Sequence, residues 1–297
     1  MGHHHHHAEH SHGSKNLKVA FFLNLSFTII EFIGGLLTGS LAILSDALHD
    51  LGDSVSIGLS WYFQHLSDTK DSNQKYTYGY KRFSLIGAIV NAAILLVGSV
   101  IIISKAAPQI MNPGEVDEQG MLIIAIFGVI VNGAAVLRLK KGKSMNERVI
   151  RLHLLEDVLG WIAVLLGSLL IMYFDWQFID PLLSVLIGVF IIYNVIANLK
   201  RSFSIILQTT PVDVDISAIQ NGLKGLSEIV DVHDCHVWSM DGEYHVLSAH
   251  VVLDKVYSLR ELTDIKSKAK LLLADLNIRH STLEFEEEGK IVTVVEQ

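Results

Sequence analysis

Six runs of mostly apolar residues, each near the length of about 20 that an α-helix needs to cross a bilayer, fill residues 1–201 of this chain. They lie roughly at 17–38, 41–63, 84–107, 120–138, 150–173 and 178–199. In hydrocarbon every backbone polar group must be satisfied within the protein, so such runs fold as packed helices. Of the 297 residues, 50% are hydrophobic and 18% are charged, whereas an ordinary soluble domain carries about a quarter. The charge is also unevenly placed. Residues 1–201 hold 15 basic and 15 acidic residues, and residues 202–297 hold 8 and 16, so the net −8 sits on the tail. An acidic tail argues against nucleic acid as a partner, because that requires a basic footprint.

Short connections rich in Lys and Arg stay in the cytoplasm. One side of the membrane collects Lys15 and Lys18, then Lys70, Lys75, Lys81 and Arg82, then Arg138, Lys140, Lys141, Lys143, Arg148 and Arg151, and finally Lys200 and Arg201. The other side has Lys105 against Glu115, Asp117 and Glu118. Both termini are therefore expected in the cytoplasm. The predicted organisation is a histidine-rich arm or tag over 1–14, a six-helix transmembrane domain over 15–206 and a cytosolic domain over 207–297. The arm holds His3 to His7, His10 and His12; it reads either as a purification tag or as a native metal-binding segment.

Two of the apolar runs carry the same pattern. His49-Asp50-Leu51-Gly52-Asp53 and His153-Leu154-Leu155-Glu156-Asp157 both give His-x-x-x-Asp. Residues i and i+4 share a helix face, and ionisable groups inside a membrane are costly and functional by default. Two such helices face to face would offer two imidazoles and two carboxylates, which suits four-coordinate zinc. Magnesium and calcium prefer all-oxygen shells, while cadmium and cobalt remain compatible with the set. Neutral imidazole binds metal and imidazolium does not, so proton entry can expel the ion; exchange of metal for protons follows naturally. Asn24, Glu31, Asn91 and Asn132 read as interhelical hydrogen-bonders.

In the tail, Asp213 or Asp215 is placed to cap a helix reaching Leu226. Residues 229–239 and 244–253 read as paired strands around a tight Asp241-Gly242 turn. Ser258 caps a second helix to about Leu276, and a strand follows near 281–287. This is an α+β domain. The single cysteine, Cys235, excludes a disulfide framework within the chain.

The segment from Ser40 to Asp53, with Tyr78-Gly79-Tyr80-Lys81-Arg82-Phe83, the His153–Asp157 pair, Asp180-Pro181 and the tail's Val232-His233-Asp234-Cys235-His236-Val237-Trp238, resembles the cation diffusion facilitator family along nearly the whole chain after residue 14. The resemblance implies a multi-pass α-helical membrane protein with six transmembrane helices and a C-terminal ferredoxin-like cytosolic domain. It also implies a homodimer, and zinc export coupled to inward proton movement. His49, Asp53, His153 and Asp157 would form the transport site. His233, His250 and Glu286 match positions that bind regulatory zinc in the cytosolic domain. Glu284 stands where the pattern usually has Gln or His. The absence of a long histidine-rich loop between spans four and five points to a bacterial plasma (inner) membrane.

The competing readings come from other classes. A metal-responsive membrane sensor without transport would need an output motif, and none is visible. A membrane metalloprotease would want His-Glu-x-x-His, which the chain lacks, so no enzymatic activity is expected.

Overall fold

The computed structural model describes residues 7–69, 74–139 and 145–287, with side-chain surroundings for 21–59, 62–63, 74–137 and 154–287. The histidines His3 to His6 and residues 288–297 lie outside these residues. The chain divides into two compact units, 1–199 and 200–297.

The first unit is built from long helices: α1 (His7–Thr38), α2 (Leu41–Thr69), α3 (Phe83–Met111), α4 (Glu118–Leu139), α5 (Met145–Phe174) and α6 (Ile179–Ile206). Five of them are long and apolar enough to cross a membrane. The remaining one, α2, is just as long but carries Asp46, Asp50 and Asp53 through its first half. Its polarity belongs to what it holds. Helix α1 packs along α2, α4 along α5, α2 along α3, and α1 also touches α4. Phe27, Ile43, Met121, Trp161 and Val164 form one buried cluster, joining α1, α2, α4 and α5. Ala92 and Leu95 of α3 meet Ile191 and Val195 of α6 in another. Close approach depends on small residues. A Cβ on Gly128 of α4 would fall 2.1 Å from the indole of the fully buried Trp161.

Helices α1 and α2 join through Gly39, whose φ of +70° suits a residue without a side chain. Asn24 of α1 donates to the Asp50 carbonyl and the Ser54 hydroxyl of α2, at 3.1 and 3.0 Å. Asn91 of α3 donates to Ser56 of α2 at 2.7 Å. These two bond between helices as expected. Asn132 instead donates to the Gly128 carbonyl on its own helix, so its interhelical reading is corrected.

The second unit runs α7 (Ile216–Lys224), β1 (Ile229–Ser239), β2 (His245–Leu253), α8 (Leu259–Asp275) and β3 (Ile278–Glu287). Asp215 caps α7 by accepting from the Ser217 amide, and Ser258 with Glu261 forms a capping box on α8. The sheet order is β1-β2-β3, with β1 antiparallel and β3 parallel to the central β2. Leu247, Ala249, Val251 and Leu253 alternate along β2 into a core shared with Ile219, Leu223, Ala269 and Leu273 of the two helices. That alternation sends His250 to the opposite sheet face.

Two local expectations are corrected. The β1–β2 connection is not a two-residue turn: Met240 to Tyr244 lie between the strands. The Asp241 carboxylate accepts from the Glu243 and Tyr244 amides, and the Ser239 hydroxyl accepts from the Gly242 amide, which holds the wider loop. Strand β3 begins at Ile278, right after Asn277 turns the chain with φ +65°.

Candidate metal sites in the helical unit and in the tail

Helix α2 is positioned by bonds on several sides. Besides those from α1 and α3, Ser45 and Ser184 of α6 bring their hydroxyls within 2.7 Å. On the side facing α5, Asp46 lies against Gly160, where a Cβ would stand at ordinary contact distance, 3.5 Å from Oδ1. Within this frame His49 and Asp53 share a face, with His49 Nε2 4.0 Å from Asp53 Oδ2. Asp157 of α5 approaches the same nitrogen, its Oδ1 at 3.9 Å. Their side chains retain 20%, 26% and 10% exposure, so the cluster is enclosed yet reachable. Neighbouring ligands around a tetrahedral zinc lie about 3.3 Å apart for bonds of about 2.0 Å. Each carboxylate would have to close on His49 Nε2 by roughly 0.6–0.7 Å to reach that spacing. His153 sits on α5 one turn before Asp157, but its side chain lies outside the described residues.

Glu31 meets the interhelical role expected of it, its carboxyl hydrogen-bonded to that of Asp50 on α2. It is 1% exposed on α1, with the Asp50 carboxyl beside it and Asp46 and Asp157 nearby. Together with Asp46 and Asp50, each 6% exposed, it lines the interior beside His49 with buried carboxyl groups.

The tail cluster is assembled by strand register. His233 of β1 stands opposite His250 of β2, and Glu284 of β3 stands beside His250 on the other flank. Glu286, two residues on, reaches both imidazoles: its oxygens lie 2.6 Å from His250 Nδ1 and 3.0 Å from His233 Nε2. One ligand atom from each of the three residues falls within 4.8 Å of the others, the only such group of three or more among the described residues. The Glu286 hydrogen bond pushes the His250 pKa up, against the opposing effect of burial. The same bond from His250 pulls the Glu286 carboxyl down. Two imidazoles and a carboxylate form a donor set that zinc accepts, with a position left over for a further ligand.

Two further carboxylates approach this cluster. A β-bulge between His233 and His236 puts Asp234 at φ +48°, and its Oδ2 comes 3.5 Å from His250 Nε2. Glu284 Oε2 lies 3.6 Å from that nitrogen. Sequence reasoning passed over Asp234, and only the bulge brings it in. His236 is exposed and pairs with Asp234 at 2.8 Å, His245 is fully buried against Asp213 at 3.1 Å, and His280 is exposed. None of these three joins the cluster.

A bundle of long apolar helices with an imidazole–carboxylate cluster inside, joined to a small α+β unit with a cluster of its own, is the architecture of a membrane transporter for cations. Residues 17–207 match the cation efflux transmembrane domain, and residues 211–288 match the cytoplasmic domain of cation efflux proteins. The chain belongs to the cation efflux family, the cation diffusion facilitators. It is similar to a protein of Bacillus subtilis (strain 168) named cadmium, cobalt and zinc/H(+)-K(+) antiporter, with 35% identity over 97% of this chain and 93% of the relative. It is also similar to the zinc transporter ZitB of Yersinia pseudotuberculosis serotype I, with 35% identity over 92% of this chain and 88% of the relative. The metal cation efflux system protein CzcD of Cupriavidus metallidurans is 30% identical over 96% of this chain and 90% of its own length.

Proposed function

We propose that this protein exports divalent cations, zinc foremost, by alternating access, and takes up protons in exchange. Cadmium and cobalt are further substrates, in keeping with the antiporter name of the Bacillus relative. The observation that carries this reading is the meeting of His49, Asp53 and Asp157, drawn from two copies of one pattern on separate helices, inside a bundle built for the bilayer. With His153 they are the proposed transport ligands. Two carboxylates balance a divalent charge and lower the cost of holding it away from water. Protonation of the imidazoles releases it.

His233, His250 and Glu286 are proposed to hold a second, regulatory zinc in the cytosolic tail. The protein is read as a homodimer of the bacterial inner membrane with both termini in the cytoplasm; the tail's match to the cytoplasmic domain of this family supports the dimer. A metal-responsive sensor without transport finds no support, because the relatives are named as antiporters, transporters and an efflux protein. Purified protein in liposomes should move zinc against a proton gradient, with metal-dependent proton flux in the opposite sense. Zinc movement without any proton counterflow would defeat the exchange reading.

A further inference from the structure

Asp180 and Pro181 open α6, and metal binding gives them no task. The hydrogen bonds of Asp180 point to one. Its side chain is 1% exposed. Oδ1 accepts from the Ser40 hydroxyl at 2.5 Å and from the Ala42 amide at 3.2 Å, and Oδ2 accepts from the Leu41 amide at 2.8 Å. These groups belong to the start of α2, where amides have no partner within their own helix. Ser40, itself fully buried, accepts from the Ile43 amide at 3.1 Å. A helix is ordinarily capped by the residue just before it. Here the cap is divided between Ser40 and a carboxylate 140 positions further along the chain.

Asp180 also stands in the first turn of its own helix. Its charge therefore faces two helix N-termini, an environment that favours an anion. One turn into α2, the Ser45–Ser184 contact repeats the tie to α6. The start of α2 is thus held to α6 at two successive levels.

We propose that Asp180 is a positioning residue for metal transport: by capping α2 from α6, it sets the height and rotation at which α2 presents His49 and Asp53. His49 lies eight positions beyond Leu41, about 12 Å along the helix axis at a rise of 1.5 Å per residue. Asp180 therefore acts through α2 and not on the metal. Ligands must be held to within about 0.5 Å of their productive geometry, and two turns of helix transmit a shift or a rotation at its start. The proposal rests on the reading of His49 and Asp53 as transport ligands.

The test compares Asp180→Ala, Asp180→Asn and Ser40→Ala in the full-length protein, with Asp157→Ala beside them. Zinc flux in liposomes gives KM and maximal rate, and equilibrium dialysis gives metal bound per protomer. Asp180→Ala should raise the zinc KM about tenfold or more, while the metal count at saturation stays unchanged. Asp180→Asn keeps one acceptor oxygen and should recover a large share of the loss, with Ser40→Ala falling between. Wild-type KM in folded Asp180→Ala would overturn the proposal. So would one metal fewer per protomer, which would make Asp180 a ligand, or an Asn variant no better than Ala. If Asp180→Ala does not fold, an unchanged KM in Ser40→Ala overturns it equally. Normal flux in Asp157→Ala would instead sink the ligand assignment, and the two failures are distinguishable.

Discussion

Asp157 brings a carboxylate oxygen 3.9 Å from His49 Nε2, as near as Asp53 comes from one turn along the same helix at 4.0 Å. The contact between helices thus matches the contact within one. A cation seated here would tie α2 to α5, and each carboxylate would be equally indispensable.

Asp53→Ala and Asp157→Ala should each abolish zinc transport in protein that still folds and inserts. The loss should exceed the roughly 10–100-fold typical of removing an outer-shell partner. Reconstituted flux, normalised to correctly inserted protein, measures it; near-normal flux from either variant would remove that residue from the site.

His49→Asp should weaken discrimination against manganese, because a borderline-soft nitrogen gives way to hard oxygen. Relative initial rates across zinc, cadmium and manganese provide the measurement. An unchanged ranking would mean that His49 does not contact the ion.

Both His-x-x-x-Asp pairs were legible because helical spacing alone puts their members on one face. Spacing does not say which faces meet, and so the approach of Asp157 to His49 required the structure. In the tail, the strands and both caps, Asp215 and Ser258, followed from alternation and local hydrogen-bonding chemistry. The Asp241-Gly242 turn did not. The Asp241 carboxylate and the Ser239 hydroxyl capture loop amides, and no two-residue pattern anticipates that. Asp234 was overlooked for a related reason: a bulge changes which side chain reaches the sheet face, and alternation cannot foresee it. Asp180 was visible as part of a motif, but its partners lie at the start of a helix far away in sequence.

Zinc affinity of the tail should fall with acidification. The Glu286 bond raises the His250 pKa above its ordinary value of about 6.5. The stabilisation that protonated His250 draws from Glu286 is therefore complete below that ordinary value and lost as pH rises through the raised one. Glu286 is shifted down, so its share is present above the ordinary carboxylate range and lost as pH falls through the lowered value. The metal-free pair is thus strongest in mildly acidic solution. Zinc needs the neutral imidazole, so it gains on the proton as pH rises through the His250 transition, and binding should release protons. Calorimetry in buffers of different ionisation enthalpy reports that release. A flat affinity between mildly acidic and mildly alkaline pH would count against His250 as a ligand.

Replacing His233 and His250 together by Ala should reduce zinc stimulation of transport while leaving measurable flux. Metal in the tail would favour one arrangement of the domain, as any ligand does that prefers one state. Tail metal content and flux, measured on the same preparation, decide the matter. Complete loss of flux from folded dimer would make the tail site obligatory, and unchanged metal content would mean other residues bind it.

Gly128→Ala should destabilise the bundle by about 1–3 kcal/mol, the usual cost of overpacking a tight interior. Its methyl would sit 2.1 Å from the Trp161 indole, which is fully buried and cannot swing clear. Thermal unfolding in detergent should show a lowered midpoint. A wild-type midpoint would indicate that α4 and α5 are packed less closely.

The polarity of α2 has a consequence for how the protein is made. A membrane-inserted Asp at a helix centre costs about 2.5–3.5 kcal/mol on insertion scales, and α2 brings Asp46, Asp50 and Asp53. Such a segment is a poor client for the translocation machinery when presented alone. Its apolar predecessor α1 is joined to it through Gly39 and offers Asn24 and Thr28 to its polar side. The two should therefore enter the bilayer together as one helical hairpin, and α2 expressed without α1 should insert poorly.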